Sequence, residues 1–106
     1  MLGTLPNRNP QVHTHVRVQT PYSSACPASG MPLAGSWIAV LYWPAACILG
    51  LDSVAIHLPT YASEAIDVET VAQLLKRDCA LALGVPVIVE AHYLLRDGVE
   101  LDVTCS

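Results

Sequence analysis

The chain has 106 residues, of which 53% are hydrophobic and 13% charged, and a formal net charge of −4. That length holds one domain with a core of its own, and the charged share is about half the usual one. Five cations (Arg8, Arg17, Lys76, Arg77 and Arg96) in an acidic chain leave no overall electrostatic footprint for nucleic acid. A single small domain with so few charges cannot cover itself with polar surface, so self-association is expected to bury part of its apolar surface. The four cysteines lie 21, 32 and 26 residues apart with no CxxC pair, which argues against a zinc knuckle or a thioredoxin-like site. No basic, then apolar, then small-residue leader opens the chain, so the expectation is a cytoplasmic protein with free thiols. From Val18 to Leu51 no side chain is charged, but Pro21, Pro27, Pro32 and Pro44 break the run, and no membrane span is expected.

Residues 1–10 read as a polar, proline-containing arm. From Val12 the pattern has period two: Val12, Thr14, Val16 and Val18 alternate with His13, His15, Arg17 and Gln19, which predicts a strand over Val12–Gln19. His13 and His15 share its polar face; without a third ligand they read as a solvent-facing pair rather than a metal site. Tyr22 to Pro32 then forms a tight loop directed by Pro27, Gly30 and Pro32. Proline disfavours helical geometry in the residue before it, so Cys26 is displayed on a loop with a rigid exit, among the hydroxyls of Ser23, Ser24 and Ser29. The alternative for Cys26 is a buried thiol that only fills space.

Trp37–Trp43 reads as a buried strand stopped by Pro44, followed by a loop of small residues. Ser53–Leu58 reads as a third strand carrying His57 as a core or interface histidine. Val68–Leu83 is the helix, with Asp67 as N-cap and with Gly84 and Pro86 as its stop. Val68, Val71, Ala72, Leu75, Cys79 and Ala82 form one stripe at helical spacing. Leu74 and Leu81 lie off it, and Lys76, Arg77 and Asp78 are the expected solvated positions. Val87–Leu95 and Val99–Thr104 are strands joined by a hairpin turn at Arg96-Asp97-Gly98. The expected fold is α+β: an antiparallel sheet with the helix packed on one face, in a single domain over residues 1–106.

Several segments, in order, resemble the QueF family of the tunnelling fold (T-fold), whose reductases convert the nitrile of 7-cyano-7-deazaguanine to an amine with NADPH. They are Leu5-Pro6-Asn7-Arg8-Asn9-Pro10, Cys26-Pro27-Ala28-Ser29-Gly30-Met31-Pro32, Tyr42-Trp43-Pro44, Glu64 ten residues before Leu74, and Tyr93-Leu94-Leu95-Arg96-Asp97-Gly98. The departures separate the chain from those reductases. Leu33 stands where they carry the proton-donating aspartate. Leu51-Asp52-Ser53-Val54-Ala55-Ile56-His57 replaces their cofactor segment and has no lysine for an NADPH 2′-phosphate. Ala62-Ser63 stands in place of their phenylalanine–histidine pair.

A short archaeal branch, the archaeosine synthases, is similar to QueF but lacks the cofactor segment. It adds ammonia to the nitrile of a 7-cyano-7-deazaguanine base already in tRNA and yields a formamidine. The resemblance therefore implies an ATP-independent amidinotransferase with ammonia as co-substrate and no cofactor or metal. It implies modified tRNA as partner and a ring homo-oligomer, stacked pentamers being one form. Cys26 would be the nucleophile and Glu64 the recogniser of the base, with Ser23, Ser24 and Ser63 around the substrate. The proton donor is left open between Asp52, His57 and ordered water near Ser23 and Ser24. Two other readings stay beside this one: an NADPH-dependent nitrile reductase of the queuosine pathway, and a non-catalytic T-fold binder of a purine or pterin.

Overall fold

The computed structural model describes residues 2–22, 32–62 and 67–106. Its centre is a four-stranded antiparallel sheet of β2 (Val16–Pro21), β3 (Trp37–Tyr42), β5 (Val87–Leu94) and β6 (Glu100–Cys105), in the order β2-β3-β5-β6. Two further strands, β1 (Thr4–Pro6) and β4 (Cys47–Leu49), pair antiparallel in a small separate ribbon. Between β4 and β5 the chain forms α1 (Ser53–His57), α2 (Pro59–Ala62) and the long α3 (Val68–Leu83). The protein is thus α+β with antiparallel sheets, and α3 lies across β5 and β6 on one face.

Strand alternation decides which face is covered. Along β5, Val87, Val89, Ala91 and Tyr93 are buried while the residues between them are half-exposed. Their partners Tyr42, Val40 and Ile38 on β3 are buried too, and Val16, Val18, Leu101 and Val103 border the same core. Onto this surface α3 lays Val68, Val71, Ala72, Leu75, Cys79 and Leu83. Its ends follow from local chemistry. The Asp67 carboxylate accepts from the Thr70 N–H at 2.7 Å, and Gly84 takes the left-handed conformation (φ 69°) that closes a helix cheaply only with glycine. The β5–β6 hairpin turns through Arg96–Gly98, with Asp97 and Gly98 both at positive φ.

Four expectations are corrected. The predicted strand over Ser53–Leu58 is helix: Val54, His57, Leu58 and Tyr61 point inward at spacings of three, four and seven, while Ile56 is exposed. A short apolar run reads equally as either element, and here burial selects the helical face. The strand over Val12–Gln19 begins only at Val16. Val16 pairs with Tyr42, and continuing the ladder by two residues would bring Thr14 opposite Pro44, which has no N–H to give. The N-terminal arm is not a free polar segment, since β1 pairs with β4 and Leu2 is buried in the core. Asp78 is not simply solvated but hydrogen-bonded to neighbouring elements. Among the described residues, no helix is long and apolar enough to cross a membrane.

Candidate functional site

Cys26, Ser23, Ser24, Ser63 and Glu64 lie outside the described residues, on segments 23–31 and 63–66. What is described is how the chain is held on either side. Before the cysteine segment, Tyr22 is buried, its N–H donates to the Ser36 carbonyl at 3.0 Å, and its ring meets Tyr93 edge-on. After it, the Leu33 N–H donates to the Leu94 carbonyl at 2.9 Å. Ser36 joins the two sides. Its hydroxyl donates to the Leu33 carbonyl (3.0 Å) and accepts from the Leu94 N–H (2.9 Å), and the residue is buried. Gly35, at φ 99°, lies so close to Leu94 that a Cβ would sit 3.1 Å from its Cδ1. The ends of the segment are therefore tied to the inner strands β3 and β5, which are themselves paired, a rigid mounting of the kind a reactive loop needs. Leu33 directs a half-exposed (46%) aliphatic side chain from this collar and offers no proton.

The alternatives for proton donor, Asp52 and His57, sit on α1 rather than on a strand, and the fold does not join them. Asp52 is exposed at the start of α1, where its side chain makes no cap bond. His57 is enclosed. Its Nε2 lies 2.8 Å from the Tyr61 hydroxyl and 3.1 Å from Asp78 Oδ2, while the Tyr61 hydroxyl donates to the same Asp78 oxygen. A carboxylate can only accept, so Nε2 carries the imidazole proton and donates it towards Asp78. Nδ1 is buried and has no hydrogen-bond partner among the described residues. Burial pushes the Asp78 carboxyl up, but hydrogen bonds from Tyr61, His57 and Arg77 and the Arg77 charge outweigh it and hold the group below its ordinary value. The same contacts act on Tyr61 in the opposite sense: burial, and then the bond to a carboxylate, raise its phenol.

The cluster ties α1 and α2 to α3 and borders a cleft of about 570 Å³ whose described lining is Leu2, Thr4, His57, Asp78, Leu81 and Ala82. Sequence reasoning does not single out Tyr61 or Asp78 as functional. The available signal is that Tyr61 stands one helical turn beyond His57.

Cys79, the thiol on the α3 stripe, is buried and lies within the core. Burial, with the nearby Asp78 charge, pushes its thiol up to about 12, so it is inert as a nucleophile. On the uncovered sheet face, the Arg17 guanidinium lies 5.0 Å above the Trp37 ring, Trp37 adjoins His92, and His92 Nδ1–H donates to Asp102 at 2.6 Å. His13 and His15 stand at the entrance to β2 against Trp43. Among the described residues, no three His, Cys, Asp or Glu side chains form a cluster able to hold a metal ion. A scan against protein-family models and a search of curated proteins find no match for this chain.

Proposed function

We propose that the chain is an amidinotransferase of the archaeosine synthase type, a T-fold relative of QueF that adds ammonia to the nitrile of 7-cyano-7-deazaguanine in tRNA. The observation that carries the reading is the segment Cys26-Pro27-Ala28-Ser29-Gly30-Met31-Pro32 on the connection between the paired strands β2 and β3. The element order supports it: two paired strands, helices, then two paired strands in one antiparallel sheet.

In the proposed reaction the Cys26 thiolate adds to the nitrile carbon, and a proton reaches the nitrile nitrogen, giving a covalent thioimide. Ammonia then adds to the same carbon and the C–S bond breaks, releasing the formamidine and restoring the thiolate. Nitrile and ammonia account for every atom of the product, so no hydride donor and no ATP enter. The cysteine divides one difficult addition into two easier ones, because a thiolate both attacks and leaves well. Glu64 pairs with the ring N–H and exocyclic amine of the base, a planar match to two carboxylate oxygens.

The sheet edges support the proposed ring assembly. β2 and β6 are the outer strands, each six residues long; β2 carries Arg17 while β6 carries Glu100 and Asp102. Laying β6 of one subunit beside β2 of the next satisfies both rows of backbone groups and brings opposite charges together.

The test is intact-protein mass spectrometry after incubation with free 7-cyano-7-deazaguanine, without NADPH, on wild type and Cys26→Ala. The expected result is a gain of the mass of the base in wild type only, discharged as formamidine when ammonium is added. An adduct that survives Cys26→Ala overturns the assignment. Binding without any adduct favours the non-catalytic purine or pterin binder, the reading that Leu33 at the expected aspartate position supports.

A further inference from the structure

The proposed reaction needs a proton at the nitrile nitrogen, and the groups raised from the sequence are poorly suited to give it. Leu33 has none, and His57 has one ring nitrogen committed to Asp78 and Tyr61 and the other buried. A second histidine stands at the foot of the cysteine segment. One row of residues, Pro21, Trp37, His92 and Asp102, crosses all four strands in register, and its Pro21–Trp37 pair ends the β2–β3 ladder. The connection that carries Cys26 leaves β2 at Pro21 and enters β3 at Trp37. Beyond this row lies the Ser36 collar, which grips both backbone groups of Leu94. By strand alternation the Leu94 side chain shares the open face with His92, and Gly35 lies against it, a Cβ there falling 3.1 Å from Leu94 Cδ1. The chain arriving from the cysteine segment therefore enters β3 on the side of the sheet that carries His92.

We propose that His92, oriented by Asp102, is the acid–base group of the thioimide chemistry. The inference rests on the reading that Cys26 attacks a nitrile. His92 Nδ1 lies 2.6 Å from Asp102 Oδ1, and since a carboxylate only accepts, Nδ1 carries a proton and Nε2 is the nitrogen that exchanges one. Nε2 faces the collar end of the sheet, 3.7 Å from Glu100 Oε1, and Glu100 is the residue paired with Leu94. The charged groups facing this imidazole are Asp102 and Glu100 from β6, Glu90 two residues back on β5, and Arg17 from β2 across the Trp37 ring. The ring proposed above adds Arg17 of a neighbouring subunit, for which Asp102 Oδ2 remains.

As the thiolate forms the C–S bond, one π pair of the nitrile moves to nitrogen and takes the Nε2 proton of the imidazolium, leaving a thioimide and a neutral ring. Ammonia then adds to the same carbon, the C–S bond breaks with its pair returning to sulfur, and the surplus proton on the new nitrogen passes to Nε2. Thiolate and imidazolium are both restored, so one histidine serves both halves. Throughout, the Nδ1–H bond to Asp102 holds the ring and its tautomer, and an imidazole gives and takes protons near neutral pH.

The experiment is timed intact-protein mass spectrometry with free 7-cyano-7-deazaguanine across the pH range in which imidazole titrates. Thermal melts establish that each variant is folded. His92→Ala is expected to slow adduct formation about a hundredfold, to lose the alkaline fall in rate that wild type shows, and to recover in part when imidazole is added. His92→Gln, which keeps much of the side-chain volume, is expected to be slowed without that recovery. Asp102→Asn is expected to be slowed less, because its amide oxygen still accepts from Nδ1–H without the charge. Nitrogen NMR gives a readout apart from activity: neutral His92 is expected as the Nδ1–H tautomer, and the Nε2–H tautomer overturns the arrangement. Wild-type rates in both His92 variants overturn the assignment and leave the Cys26 reading standing. Slowing with an unchanged pH profile and no recovery with imidazole shows a merely structural histidine and overturns it too. Wild type that binds the base yet forms no adduct at any pH overturns the Cys26 reading, and this inference with it.

Discussion

The two faces of the central sheet come from the same four strands, yet among the described residues α3 closes one and no long helix lies on the other. On the closed face Ile38, Val40, Tyr42, Val89 and Tyr93 are almost wholly removed from water. On the other, Arg17, Trp37, His92 and Asp102 satisfy one another through a cation–ring contact, a ring pair and a carboxylate–imidazole bond. The closed face holds the fold, because apolar transfer and packing scale with the area removed from water. Contacts between exposed charged and polar groups contribute little to stability, which leaves those positions available for recognition.

The sharpest way to break this contrast is to cut into each face. Leu75→Ala removes a fully buried side chain of α3 and is expected to cost about 2–5 kcal/mol in urea unfolding. Next comes Ser36→Ala, which leaves the Leu94 N–H and the Leu33 carbonyl without the hydroxyl they share, at about 1–3 kcal/mol. Since this collar grips the cysteine segment, the same variant is expected to slow adduct formation with the free base, read by timed mass spectrometry.

Asp78→Asn acts through pH. The native carboxyl titrates below its ordinary value, so its contribution is present above the unfolded-state pKa and is lost as pH falls through the lowered native one. Wild type is expected to lose melting temperature below about pH 4, and Asp78→Asn to start lower and to show a flatter acid limb. A variant with an unchanged acid limb would show that the Tyr61–His57 contacts do not stabilise the ionised form. A smaller loss of the same sign is expected for Asp67→Ala, whose carboxyl is held low by the Thr70 hydroxyl and N–H at the start of α3. Smallest of all, His92→Ala is expected to change stability by under about 1 kcal/mol. A cost matching that of Leu75→Ala would show that the open face also carries the fold.

How much of this is legible in the sequence differs from element to element. α3 is legible with the bounds it has, because a capping aspartate, a helical stripe and a glycine–proline stop all agree and none depends on distant residues. β3 and β5 are legible for the same reason, their apolar content and their stops being local. Ser53–His57 reads wrongly as a strand because Val54, Ile56 and Leu58 alternate as a strand would, and only packing with Leu58 and Tyr61 inward exposes Ile56. β1 and β4 escape a sequence reading because three-residue strands have no periodicity to detect and exist only through each other. On the site, the cysteine motif is legible as a run of residues. The Ser36 collar and the Tyr61–His57–Asp78 cluster are not, since each joins positions far apart in the chain.

Sequence alone determined the bounds of α3, the β5–β6 turn and the position of Cys26 in the chain between two strands. Each of these rests on interactions within a few residues or on a simple repeat. Tertiary structure alone decided that the N-terminal arm completes a ribbon and that α1 is helical. It also decided that Asp78 is engaged with His57 and Tyr61. Those outcomes depend on which distant groups satisfy each other's hydrogen bonds and share burial, and no local pattern carries that information.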